Sequence, residues 1–159
     1  MDKSLEGSTG KPFRVVVEEG KVREFARATK SANPAYLADG QPPAVSPVTF
    51  LASSAFWQGP HSSPWGEAKL NWQRILHGEQ EFTFPGPPPA AGTVLTAEAR
   101  IDRIYDKEGK RGGTMTFVEV VTEYRDESGA VVAESRSTVI ETSQAPPAGG
   151  GGKAEAGEG

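Results

Sequence analysis

Hydrophobic residues in this chain change their spacing twice, and those changes divide it into elements. Phe13, Val15 and Val17 alternate with Arg14 and Val16, the period of a half-buried strand. After Glu18 to Gly20 the spacing becomes helical: Val22, Phe25, Ala26 and Thr29 recur on one side of KVREFARAT, and Lys21, Arg23, Glu24 and Arg27 take the wet side. The helix is predicted to stop near Ser31, because Asn33 precedes Pro34 and is pushed out of the α region. A loop from Asp39 to Pro43 leads into AVSPVTFLASSAFW, Ala44 to Trp57, which carries no formal charge. Pro47 suits a first helical turn, and Val48, Leu51, Ala52 and Ala55 follow at i, i+3, i+4 and i+7. The other side offers only Thr49, Phe50, Ser53, Ser54 and Phe56, so the pattern predicts a helix buried on every face. From Gln58 to Trp72, Gly, Pro and Ser are dense, yet Trp57, Trp65 and Trp72 are poor candidates for a solvated linker. An ordered flap over a cavity or a subunit contact is expected there.

Downstream of Ile75 the period is that of strands. Phe82 and Phe84 alternate in EQEFTF before PGPPPAAG forces a connection from Pro85 to Gly92. Leu95, Ala97, Ala99 and Ile101 mark one face of a strand reaching to about Tyr105, and DKEGKRGG, Asp106 to Gly113, reads as a hairpin loop. Met115 to Tyr124 and Val131 to Thr142 are two further strands around a turn at Asp126 to Gly129. Strands of this length, against about five or six residues in an ordinary one, must twist and coil. The expected fold is α+β, a single domain in which a long curved antiparallel sheet wraps a central helix. The expected boundaries are a flexible arm over 1–11, a domain over 12–142 and a disordered tail over 143–159, where Gly, Ala, Pro and Glu leave almost nothing to bury.

Composition narrows the function classes. A chain of 159 residues fits one domain with an adequate core, and the absence of cysteine excludes disulfides, thiolate metal sites and a Cys nucleophile. A net charge of -4 with interspersed signs gives no basic footprint for nucleic acid or an anionic membrane. The polar start, MDKSLEGSTGK, lacks the apolar core of a secretory signal, and Pro47, Pro60 and Pro64 interrupt the uncharged run that would otherwise approach a membrane span. A cytoplasmic address is expected.

Signatures of catalysis are sparse. There is no G-x-S-x-G elbow, phosphate-binding loop, dinucleotide fingerprint or H-E-x-x-H helix, and His61 and His77 lack a second ligand at metal spacing. No metal or cofactor is expected. His77 lies near Glu79 and Glu81 in LHGEQEF, a possible base with an orienting carboxylate, but strand alternation makes it first a strand-starting histidine beside a glycine kink. His61 reads as a loop residue, Arg111-Gly112-Gly113 as a turn, and PGPPP as an interstrand connection. The cluster Ser31, Asn33, Pro34 and Tyr36 after the first helix reads, on physics alone, as a helix stop followed by a proline turn.

Three stretches carry a resemblance: FARATKSANPAY, AVSPVTF, and LHGEQEFTF with RGGTMTFVEVVTEYRDESGAVVAES, spanning roughly residues 12 to 142. In them the chain resembles the hot-dog-fold MaoC-like (R)-specific enoyl-thioester hydratases and 3-hydroxyacyl-thioester dehydratases, and among these the N-terminal-type accessory half. Active members carry D-x-N-P-[hydrophobic]-H, whose Asp and His position and activate a water. Here Ser31 stands at the Asp position and Tyr36 at the His position, with Asn33 and Pro34 kept. Neither replacement takes a proton readily at neutral pH, tyrosine titrating near ~10 and serine far higher. The resemblance therefore implies a non-catalytic subunit, paired in a heterodimer or dimer of heterodimers with a hot-dog chain that supplies Asp and His. Such pairs share one continuous sheet, and the acyl chain threads between the partners.

Val48, Phe50, Leu51, Phe56, Trp57 and Trp65 are the residues expected to line the acyl channel, their apolar walls excluding water. The expected ligand is a coenzyme A or acyl-carrier-protein thioester whose carrier stays outside; fatty, polyketide and steroid side-chain acyl groups all fit. A second reading makes the chain a self-sufficient homodimeric hydratase or thioesterase using His77 with Glu79 or Glu81. A third makes it a non-enzymatic thioester-binding or scaffolding protein.

Overall fold

The computed structural model describes residues 1–37, 44–109 and 113–143. Five strands form one antiparallel sheet: β1 (Phe13–Val16), β2 (Ile75–Thr83), β3 (Val94–Glu108), β4 (Thr114–Arg125) and β5 (Val131–Glu141), in the order β1-β3-β4-β5-β2. The helix α1 (Glu19–Ala28) follows β1, and a 3-10 helix over Phe50–Trp57, the central helix, precedes β2. The alternation in the sequence settles which face of the sheet is inside. Leu95, Ala97, Ala99 and Ile101 of β3 are all buried, with Tyr124 opposite Ala97 on β4, and this face receives Phe50 and Leu51 of the central helix. Val22 and Ala26 of α1 are buried as their spacing predicts.

Three bulges interrupt the described ladder: one in β5, where Val132 is extra between the partners of Tyr124 and Arg125, and two that change the phase of β3 and β2. Ile101 faces Val120 but Arg103 faces Glu119, so Asp102 is an extra residue in β3; Ile104 thereby returns to the inner face and Tyr105 goes out. In β2, His77 faces Val139 and Glu79 faces Thr138, with Gly78 extra between them. A Cβ at Gly78 would lie 2.7 Å from the Ile140 side chain, so glycine is required for that close approach.

The central helix departs from the expected form. It winds with i to i+3 hydrogen bonds, such as Ala52 N to Thr49 O at 3.1 Å, and starts at Phe50 rather than after Pro47. Three residues per turn align Leu51, Ser54 and Trp57 toward the sheet, in place of the predicted stripe Val48, Leu51, Ala52 and Ala55, of which only Leu51 is buried. The helix is not covered on every face: Val48 is 54% exposed and Phe56 89%.

The first eleven residues do not hang free as the small, polar sequence suggests. Gly7 N donates to Ile101 O and Gly10 N to Ala99 O, each at 2.9 Å, and Leu5 packs against Ile101, Ile104 and Val118. The arm also holds the flap, through Lys11 N to His61 O at 2.8 Å and Ser8 Oγ to Pro64 O at 2.7 Å. A Cβ on Gly10 would sit 2.1 Å from the Ser62 carbonyl oxygen, so only glycine admits this contact. In the flap, Trp65 packs against the inner cluster and Trp72 is exposed. The expected loop over 39–43, most of the RGG triplet and the tail after Ser143 lie outside the described residues.

Candidate functional site

The turn after α1 is built by local hydrogen bonds. Thr29 Oγ1 donates to the carbonyls of Phe25 and Ala26, and Ser31 N reaches Ala26 O at 2.8 Å, closing the helix. Asn33, held extended before Pro34, accepts at Oδ1 from Ala35 N at 3.0 Å and so caps the short turn Pro34–Tyr36. Ser31 Oγ accepts from Asn33 N, and the ring of Tyr36 packs on the core cluster that holds Phe50 and Tyr124. Ser31, Asn33 and Tyr36 are thus brought together, but in structural roles: a helix stop, a cap and a packed ring. None of the three is a carboxylate or an imidazole, the groups most often used as general bases.

Across from this turn, α1 and the central helix enclose a groove of about 410 Å³. Phe25, Ala28, Phe50, Phe56 and Trp57 form its apolar walls, and Phe25 meets Phe50 edge to face at 5.6 Å. Its mouth carries Glu18, Lys21 and Glu24, and Lys21 is already paired with Glu24 at 3.1 Å. On the other flank of the helix a smaller recess of about 160 Å³ is lined by Leu51, Trp65 and Gln58 with polar groups of the sheet, including Gln80, Tyr124 and Ser135. Gln80 Nε2 donates to Ser135 Oγ at 2.7 Å, and Tyr124 shares a 2.8 Å hydrogen bond with Ser54. Burial pushes the Tyr124 phenol above its ordinary value, with the Ser54 bond opposing. The six expected lining residues are therefore divided: Phe50, Phe56 and Trp57 share the groove, Leu51 and Trp65 share the recess, and Val48 lies exposed outside both. Phe25 is a groove wall that sequence reasoning assigned to the core, since its helical spacing says only that it faces inward.

His77 and the two glutamates do not converge. Because of the Gly78 bulge, His77 projects to the inner face with Val139, while Glu79 and Glu81 project outward with Thr138 and Arg136. A base and its orienting carboxylate cannot hydrogen-bond through a sheet, which removes that pairing. His61 is an exposed flap residue whose backbone carbonyl is used by Lys11. Among the described residues no group of three His, Asp or Glu is placed to hold a metal ion, and no helix is long and apolar enough to cross a membrane.

The outer face carries an ionic network centred on Arg136, whose Nη1 donates to Asp102 at 2.7 Å and to Glu119 at 3.1 Å. Arg136 and then Arg100 hold the Asp102 carboxyl below the usual carboxylate range. Beside the network Tyr105 and Phe117 stack with centroids 5.3 Å apart.

Residues 4–135 match the family model described as FAS1-like, dehydratase domain region. A UPF0336 protein of Streptomyces coelicolor is 30% identical over 147 residues, covering 88% of this chain and 94% of the relative. Another, of Clavibacter michiganensis, is 30% identical over 131 residues, covering 79% and 84%. Among solved structures, the C-terminally truncated HadBC (3R-hydroxyacyl-ACP dehydratase) complex of Mycobacterium tuberculosis superposes with a TM-score of 0.70 at 24% identity, covering 88% of this chain and 98% of that one. The ChsH1–ChsH2 complex of the same organism gives 0.63 at 16% identity, covering 91% and 88%. These likenesses establish the fold, a single hot-dog.

Proposed function

The chain belongs to the FAS1-like dehydratase domain region family, hot-dog proteins of the MaoC-like kind, and on that premise we propose that it is the non-catalytic, channel-forming subunit of a heteromeric enoyl-thioester hydratase or 3-hydroxyacyl-thioester dehydratase. The observation that carries this reading is the turn Ser31 to Tyr36. At the positions where the resemblance places Asp and His, the chain offers a helix-closing serine and a packed tyrosine, with Asn33 spent on capping. Water activation then falls to the partner's Asp and His.

What remains for this chain is shape. The groove between α1 and the central helix is apolar and large enough for an acyl or ring-bearing tail, ligand cavities usually holding about 300–1,000 Å³. Phe50, Phe56 and Trp57, with Phe25, are its walls; Leu51 and Trp65 border the tail's other flank, and Val48 meets the partner. The mouth presents Glu18 and Glu24 with Lys21 already paired, so it does not attract the phosphates of coenzyme A or a carrier protein, which stays outside. Exposed Phe56 and Val48 are apolar surface that a second chain would cover. The edge of β2, unpaired among the described residues, supports the same arrangement, because a nine-residue strand left at an edge invites another strand. The HadBC and ChsH1–ChsH2 structures are themselves two-chain complexes, which supports a hot-dog partner here.

The test is hydration of trans-2-enoyl-CoA by the purified chain, alone and co-expressed with a hot-dog chain that retains Asp and His. Silence alone and turnover in the pair are expected. Turnover by this chain alone would refute the reading.

A further inference from the structure

Among the described residues only one side of β2 is paired, with β5, and the charge pattern on the strand restricts what can pair on the other. The register places Leu76, Glu79, Glu81 and Thr83 of this strand on the outer face, with Glu79 at the middle of Ile75–Thr83. Neither Glu79 nor Glu81 has an ion-pair partner among the described residues. Arg136, directly opposite Glu81, is committed to Asp102 at 2.7 Å and Glu119 at 3.1 Å. Next to the two glutamates the outer face opens into a recess of about 210 Å³ walled by the stacked rings of Tyr105 and Phe117, with Glu119 also in its lining. Lys107 already sits over the Phe117 ring at 4.8 Å, so these rings take a cation on their faces.

We propose that β2 pairs with the edge strand of a different hot-dog chain that presents arginine or lysine on this face, and that Glu79 and Glu81 prevent a second copy of this chain from taking that place. The proposal rests on the accessory-subunit reading and adds what the partner must look like. An antiparallel self-pair centred on Glu79 sets that residue against its own copy, with the Glu81 of each chain diagonal to the other's Glu79. Side chains directly opposite have Cβ atoms about 4.5–5.5 Å apart and diagonal ones about 7–8 Å, distances at which like charges destabilise a strand pair. A guanidinium from a partner meets the reverse situation: two carboxylates that have no ion-pair partner among the described residues, beside an aromatic wall that already holds Arg103 and Lys107 over its rings.

The experiment needs no identified partner. Dissociation constants are measured by sedimentation equilibrium for the wild type, for the variant Glu79→Lys/Glu81→Lys, and for their equimolar mixture, at low and high salt. The mixture is expected to bind at least about tenfold tighter than either chain alone, and to lose that advantage as salt shortens the Debye length from about 30 Å at 0.01 M to about 3 Å at 1 M. The variant Glu79→Gln/Glu81→Gln, which removes the repulsion without reversing it, is expected to self-associate more tightly than the wild type. Mixing the wild type with Glu98→Lys/Glu127→Lys, equal in charge change but remote from β2, is expected to give no advantage. Equal affinities throughout, or an equal gain in the remote control, overturn the proposal. Turnover of trans-2-enoyl-CoA by the wild type alone overturns the accessory reading instead, and leaves the order of affinities where it is.

Discussion

Removing one oxygen atom from Tyr124 tests how the central helix is held on the sheet. The ring is 1% exposed, and its hydroxyl lies 2.8 Å from Ser54 Oγ and 3.3 Å from the Leu51 carbonyl oxygen. Tyr124→Phe keeps the packing and deletes the bond. A buried neutral hydrogen bond contributes about 1 kcal/mol net, and stranding its partner costs about 1–3 kcal/mol. Ser54, itself 7% exposed, recovers part of that by turning to a carbonyl one turn back, as Ser53 already does with Phe50 O at 2.7 Å. The expected loss is therefore about 2 kcal/mol for Tyr124→Phe and about 1–2 kcal/mol for Ser54→Ala. The double variant leaves neither hydroxyl stranded, so its loss falls short of the sum by about 1 kcal/mol. Urea unfolding followed by tryptophan fluorescence measures all three, provided the slope of free energy against urea stays constant. Strict additivity, or single losses below about 0.5 kcal/mol, would show that the helix is seated by its apolar contacts alone and that the bond is incidental.

The same phenol sets an alkaline limit: its pKa is raised by burial, so its contribution is whole below about pH 10 and declines as pH climbs through the raised folded value. Wild-type stability should fall more steeply between pH 9 and about 11 than that of Tyr124→Phe, and parallel curves would contradict the burial argument. On the acid side, Asp102 is held low by Arg136 and Arg100, so its contribution is present above about pH 4 and lost as pH falls through the folded value. Asp102 is 29% exposed, which limits the expected loss in Asp102→Asn to about 1 kcal/mol, read at pH 7 and shrinking as pH falls below the ordinary carboxylate range. Gly10→Ala drives a Cβ into the Ser62 carbonyl and should part the arm from the flap, costing about 2 kcal/mol and speeding tryptic cleavage at Lys69; an unchanged cleavage rate would mean that the flap holds without the arm. Phe56→Ser should leave stability within about 0.5 kcal/mol, because the ring is exposed, while lowering kcat/KM of the two-chain complex for long acyl chains more than for short ones.

Strand and helix order was legible because each segment repeats a single period: Leu95 to Ile101 on one parity, and Val22 with Ala26 one turn apart. What escaped was every feature that depends on geometry between segments. Asp102 and Gly78 are ordinary letters within strand runs, and nothing local says that each is an extra residue opposite a shorter partner. Uncharged residues around the central helix announce that water is excluded, but not by whom: part of that surface meets the sheet and part, at Val48 and Phe56, is left open. The arm looked loose because its side chains are small, yet its attachment is made by backbone groups of Gly7, Gly10 and Lys11, which composition does not reveal. The turn after α1 was readable residue by residue as a helix stop followed by a proline turn, and the structure adds the hydrogen bonds and packing of Ser31, Asn33 and Tyr36.

The extra residue at Asp102 works as a frameshift corrected within one strand. From Leu95 to Ile101 the odd positions are inside; from Ile104 onward the even ones are. Forcing Asp102 into the regular ladder would turn the remaining strand over, driving Arg103 and Tyr105 into the core and expelling Ile104, whereas deleting it would bring Ile101, Arg103 and Ile104 into plain alternation against Val120, Glu119 and Val118 and leave both faces as they are. What the bulge adds is a carboxylate beside Arg136 and Arg100. Relatives of this chain that shorten the strand should therefore lose a residue here, at the expense of that ion pair and not of the core.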